Sequence, residues 1–175
     1  MSSVFIVGFM GAGKSTVGRL VAGSLGLPYL DLDAEIESRL GATVGEIFDL
    51  RGEAVFREAE REALARAAEG PEAVVSCGGG VVLDDRNRSV LLASGPVVHL
   101  RVTPEEALAR VGGASDRPLL RDQAPDAAAA LLRAREALYE AVADVTVETV
   151  GRTPEAVAAD VMRALEALAD EGGSA

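Results

Sequence analysis

The sequence predicts an α/β protein of three layers, a five-stranded parallel sheet with helices on both faces. Two observations carry that prediction. Short apolar runs alternate with amphipathic stretches along all 175 residues, the pattern of repeated strand–helix crossovers. Glycine clusters follow the runs that end at Val7 and Ser76, and ligands on parallel sheets bind at the carboxyl ends of strands. No internal repeat and no linker divides the chain, so residues 1–175 are expected to form one domain.

Taken in order, Val4 to Val7 reads as a buried strand running into a glycine loop, and Lys14 to Leu25 as the helix that leaves it. Tyr29 to Asp31 is a short strand, followed by a helix from Asp33 to Leu40. Thr43 suits the cap of a helix through Leu50, and Glu53 to Ala68 forms a long charged helix. Val74 to Ser76 is a strand opening into Gly78-Gly79-Gly80, with a helix from Asp84 to Ala93 behind it. Val97 to Val102 is the next strand, and Thr103-Pro104-Glu105-Glu106 has the form of a capping box with proline at the first helical position. Residues 112–124 are loop-like, Asp126 to Ala143 is helical and Val145 to Val147 is the last strand. Thr153 caps a final helix to about Ala169, and residues 170–175 are expected to fray.

Composition narrows the function. Hydrophobic residues make up 49% and aromatics 3%, so the core must be built of valine, leucine and alanine. The net charge of −11 argues against wrapping nucleic acid or lying on an anionic membrane; a bound anion needs positive charge concentrated locally. Cys77 is the only cysteine and cannot form an intramolecular disulfide, which fits a reducing cytoplasm, and no apolar run is long enough to span a bilayer. A monomer is expected. His99, the only histidine, lies in a strand and reads as a packing residue, and no transition-metal ligand set can be assembled.

Against that background Lys14 stands out, because it is the only lysine in a chain whose other basic residues are all arginine. It lies in Gly8-x-x-x-x-Gly13-Lys14-Ser15, between a predicted strand and a predicted helix. Glycines there let backbone N–H groups turn inward around phosphate, and the helix N-terminus adds positive potential. Lysine reaches the terminal phosphates and Ser15 offers a hydroxyl to Mg²⁺. Asp31 and Asp33 project to one side of a strand end, where they suit Mg²⁺ and a substrate hydroxyl; Asp33 equally suits a helix N-cap. Arg57 and Glu60 are an i,i+3 pair with Glu53 close by, either a solvated ion-paired face or a guanidinium held ready for a substrate carboxylate. Gly78, Gly79 and Gly80 permit close approach of a ligand or simply make a tight exit turn. Arg117 lies in the long loop, Arg133 and Arg135 share a helix, and the residues alone leave open which of that pair faces a site.

Taken together, "GFMGAGKST", "YLDLDAEIE", "IFDLRGEAVFREAE", "SCGGGVV", "DRPLL" and "RAREALYEAVAD" resemble the shikimate kinases, a branch of the phosphate-loop kinases, over nearly the whole chain. The resemblance implies a phosphate-loop kinase fold with a substrate segment at about residues 33–61 and a small lid at about 112–124. It implies transfer of the γ-phosphoryl of ATP to the 3-hydroxyl of shikimate, on the route to chorismate. Gly11, Ala12, Gly13, Lys14, Ser15 and Thr16 would hold the phosphates, and Ser15 and Asp31 the Mg²⁺. Asp33, Arg57, Gly78, Gly79, Gly80 and Arg135 would take shikimate, Arg117 the transferred phosphate, and Arg110 and Arg152 the adenine side. Lys14, Asp33 and Arg117 would be catalytic. Ala137 stands where the family usually has proline, which keeps Arg133 beside Arg135 as an alternative. A gluconate kinase and a non-catalytic nucleotide-binding relative are the competing readings; the Asp31–Asp33, Arg57 and Gly78–Gly80 set favours shikimate over gluconate, and retention of Lys14, Asp33 and Arg117 favours catalysis.

Overall fold

The structure is a computed structural model and describes residues 2–111 and 125–172; the expected lid and Arg117 lie outside the described residues. Five strands, β1 (Val4–Val7), β2 (Tyr29–Asp31), β3 (Val74–Ser76), β4 (Val97–Arg101) and β5 (Val145–Glu148), form a parallel sheet in the order β2-β3-β1-β4-β5. Around it run α1 (Lys14–Leu25), α2 (Leu32–Leu40), α3 (Val44–Arg51), α4 (Glu53–Glu69), α5 (Asp85–Ser94), α6 (Pro104–Val111), α7 (Pro125–Val142) and α8 (Pro154–Gly172). Every residue of β1 and β3 is buried, as expected of unbroken apolar strands covered on both faces. Among the described residues no helix is long and apolar enough to cross a membrane.

The strand order decides where a ligand goes. β1 is central; the chain leaves it toward β2 and later crosses to β4, so the crevice opens above the carboxyl ends of β2, β3 and β1. Register holds those ends level: Asp31 pairs with Ser76, and Ser76 with Ile6. Beyond Val7 the backbone passes close against β4, where a Cβ on Gly8 would stand 2.5 Å from the Leu100 carbonyl oxygen at a φ of +147°. Gly13, left-handed at φ 89°, then starts α1 with Lys14 as its first residue.

Several boundaries depart from the sequence reading. The reciprocal capping box forms at Thr43, whose Oγ1 accepts from Glu46 N at 3.2 Å while Glu46 Oε2 accepts from Thr43 N at 2.8 Å. At Thr103 only half of it forms. Thr103 Oγ1 accepts from Glu106 N, but the Glu106 carboxylate takes Arg110 and Gly151 N instead of turning back. A 3₁₀ turn, Val81–Leu83, separates the glycine run from α5. α8 continues to Gly172, so residues 170–172 are helical rather than frayed. The N-cap of α2 is Asp31, not Asp33, which leaves Asp33 in the first turn of the helix.

Candidate active site

One cavity of about 580 Å³ collects residues from all three neighbouring strand ends. Met10, Gly11, Gly13, Lys14, Ser15 and Thr16 line one end of it. The Lys14 side chain is buried, and its Nζ donates to the Phe9 carbonyl at 3.1 Å, crossing the inside of the loop. Ala12 does not reach the cavity: it is buried behind the loop, and its N–H donates to the Phe9 carbonyl at 3.1 Å.

Asp31 is occupied on both oxygens. Oδ1 accepts from Asp33 N at 3.1 Å and Ala34 N at 3.4 Å, which caps α2. Oδ2 accepts from Ser15 Oγ and Tyr29 OH, each at 3.0 Å. The Ser15 and Asp31 oxygens side by side, next to a glycine loop, are the hard donors that Mg²⁺ takes together with phosphate oxygens and water. Among the described residues no cluster of His, Cys, Asp and Glu is large enough to make an all-protein metal cage.

The other end is built by side chains. Arg57 donates from Nε and Nη2 to Glu53 Oε1 at 3.1 Å and from Nη1 to Glu60 Oε2 at 2.8 Å, so both i−4 and i+3 partners grip it. This is no solvated face: the Glu60 side chain is 1% exposed and that of Arg57 15%. Burial pushes the Glu60 carboxyl above the ordinary carboxylate range, Arg57 pulls it back, and Asp33 pushes it up again. Burial also works against the charge on Arg57, but Glu60 and Glu53 outweigh it and hold the guanidinium firmly protonated. The glycine run packs among these groups. A Cβ on Gly78 would lie 2.7 Å from Glu60 Oε1 and 2.8 Å from Asp33 Oδ1, and one on Gly80 would lie 2.3 Å from Arg57 Nη1. A side chain at either position would therefore push the charged groups apart.

Arg135, 3% exposed, lines the cavity from α7 and donates to the Gly79 carbonyl at 3.2 Å; Arg133 on the same helix is exposed. Arg110 lines the cavity too, donating to the Gly11 carbonyl at 3.0 Å and to the Thr149 carbonyl at 2.9 Å. Arg152 does not line it. Its guanidinium is taken by the carbonyls of Glu148 and Ala156 and by Asp160. Cys77 is buried and its thiol is pushed far up by burial, which makes it inert. His99 is buried in β4 and stacks on Tyr139 with ring centroids 5.0 Å apart, a packing role as read.

Reading the motifs missed a group of bracing residues. Tyr29 holds Asp31, Tyr139 donates its hydroxyl to the Gly79 carbonyl, and Phe48 and Phe56 form an apolar wall with centroids 4.9 Å apart beneath Arg57. Phe9 lies under Arg135. A signal for them existed in the composition. The chain holds four Phe and two Tyr, and of these only Phe5 stands apart from the site. The scarcity that singles out Lys14 singles out the aromatics as well.

The family model described as shikimate kinase matches residues 10–166. The chain is 48% identical over 165 residues to the shikimate kinase of Moorella thermoacetica, covering 94% of this chain and 95% of that one. It is 44% identical over 169 residues to the shikimate kinase of Pseudomonas entomophila, covering 96% and 98%. Among solved structures it is similar to shikimate kinase from Acinetobacter baumannii in complex with shikimate. The TM-score is 0.90 at 37% identity, over 93% of this chain and 92% of that chain.

Proposed function

The chain belongs to the shikimate kinase family; it is an ATP-dependent shikimate kinase, and we propose a division of labour among its residues for that reaction. The observation that carries the proposal is the convergence of the glycine loop, Asp33, Arg57 and Arg135 on a single cavity. Two anionic ligands can meet there in a protein of net charge −11 because its cations are gathered where they are needed.

Backbone N–H groups of Gly11 and of residues 13–16, with the Lys14 ammonium, take the β and γ phosphates, while Arg110 borders the nucleotide end. Ser15 and Asp31 hold Mg²⁺, which when bound neutralises phosphate charge. Arg57 and Arg135 face the carboxylate of shikimate, and Phe48 and Phe56, tilted 45° to each other, offer an apolar wall to its carbocycle. That wall suits a ring better than the open chain of gluconate. Asp33 accepts a hydrogen bond from the 3-hydroxyl and orients its oxygen toward the γ-phosphorus. Arg117 lies outside the described residues, and its place at the transferred phosphoryl group rests on resemblance alone. Positioning and charge neutralisation supply the rate, since phosphoryl transfer asks for little covalent help.

A coupled assay of ADP release with shikimate, with gluconate and with no acceptor tests the reading. Release should require shikimate. Equal release with gluconate, or none with shikimate, would overturn it.

A further inference from the structure

Nothing in the phosphate-loop pattern asks for a phenol, yet Tyr29 OH is one of four donors on Asp31. The two carboxylate oxygens do different work. Oδ1 is tied to backbone by the N–H groups of Asp33 and Ala34 and serves α2. Oδ2 turns the other way, toward Ser15, and Tyr29 OH is its second donor. We propose that the Tyr29 hydroxyl is a positioning group for the cation that accompanies the nucleotide, acting through Asp31. The proposal rests on the reading that Ser15 and Asp31 hold that cation.

The ring is itself fixed. It lies against α1 where Gly18 leaves it room, for a Cβ there would stand 2.8 Å from Tyr29 Cε2, and the Arg19 guanidinium covers its face at 4.9 Å from the centroid. The hydroxyl is thus delivered by a ring held on two sides, against α1 and under Arg19. Ser15 must share its oxygen with an arriving cation, and its hold on Oδ2 then changes. The Tyr29 hydroxyl also interacts with Ser15 and Ser76, and as it is not itself a ligand of the cation it keeps a donor on the outer oxygen of Asp31 while Ser15 re-forms its contacts. Groups that orient a metal's ligands commonly contribute about tenfold or more to metal affinity.

Tyr29→Phe removes the hydroxyl and leaves the ring on Gly18 and Arg19. The experiment compares it with Ser15→Ala and Asp31→Asn in three measurements: Mn²⁺ affinity in the presence of ADP by electron paramagnetic resonance, ADP affinity without metal by calorimetry, and thermal unfolding. Tyr29→Phe should weaken Mn²⁺ binding about tenfold, with metal-free ADP affinity and melting temperature unchanged. Mn²⁺ affinity unchanged in Tyr29→Phe but weakened in the other two would reduce Tyr29 to packing and overturn the proposal alone. An equal loss of metal-free ADP affinity would overturn it too, as damage to the loop rather than to the cation's setting. Unchanged Mn²⁺ affinity in all three variants would remove the cation from Ser15 and Asp31, and this proposal with it.

Discussion

At the nucleotide end of the cavity most of the lining comes from between Met10 and Thr16, one short stretch in which backbone does most of the work and one buried ammonium supplies charge, with Arg110 at its border. The acceptor end draws on α2, α4, the loop after β3 and α7, and its charges are held by other charges: Arg57 between Glu53 and Glu60, Glu60 beside Asp33. The first depends on conformation and the second on packing at a distance. The nucleotide end should therefore fail through geometry when one residue is altered. The acceptor end should fail selectively, losing one ligand and keeping the other.

Lys14→Arg is the largest test of that contrast. The ammonium fits inside the loop against the Phe9 carbonyl, and a planar fork is wider and differently directed. Its kcat should drop by at least about 10²; near-normal turnover would mean the loop asks only for positive charge. Arg57→Ala comes next. Loss of a charged bidentate contact should weaken shikimate binding by about 10²-fold, while calorimetry without acceptor finds ATP affinity close to wild type. Were both ligands to weaken equally, the two ends would not be separable and Arg57 would be structural.

Gly80→Ala sharpens the same contrast from the other side. Its φ of −103° admits alanine, so the new methyl displaces only the tip of Arg57, 2.3 Å away. The expected result is a KM for shikimate raised about tenfold, one misplaced charged hydrogen bond, with the melting temperature nearly unchanged. A fall in stability instead would show that the glycine serves the backbone and not the guanidinium.

The smallest effect on catalysis is expected at His99, which belongs to neither end. Burial, then Arg101, then Lys14, lowers its pKa to about 4 from 6.5, so the unfolded chain binds the proton that the folded one refuses. Stability should therefore fall as pH drops from about 6.5 toward 4, by about 2 kcal/mol between pH 7 and pH 5. In His99→Phe, which keeps a ring against Tyr139, urea unfolding at the two pH values should lose that difference. A slope as steep as wild type would place the acid sensitivity elsewhere.

The same contrast explains what could be read from the chain. The elements of the nucleotide end are contiguous, so Gly8, Gly13, Lys14 and Ser15 carry their meaning in their spacing. Arg57 and Glu60 are visible as a helical pair, but whether that pair faces water depends on α2 and the glycine run packing over it, which no local pattern states. Asp31 and Asp33 are two residues apart and both polar; only the first turn of α2 shows that Asp31 is the cap and Asp33 is not. Arg152 looked like a neighbour of the nucleotide, yet Asp160 and the carbonyls of Glu148 at the end of β5 and Ala156 in α8 occupy it. Tyr139 acts through its hydroxyl on a carbonyl 60 residues away, a partner set by tertiary structure and beyond the reach of periodicity, whereas Tyr29 and Asp31 are alternate residues of one strand and share a face that period two does state.

The strand order has a bearing on how acceptors could be exchanged between related enzymes. Of the described residues lining the cavity, six belong to the glycine loop, those from Asp31 to Gly80 fall within one stretch of chain, and only Arg110 and Arg135 come from beyond Gly80. A graft of that stretch from a relative with another acceptor would carry nearly the whole recognition surface as a cassette. It would arrive beneath a guanidinium it did not choose, because α7 hangs over the glycine run through Arg135 and Tyr139. Retargeting this scaffold is thus a two-part transplant, and α7 is the part most easily forgotten.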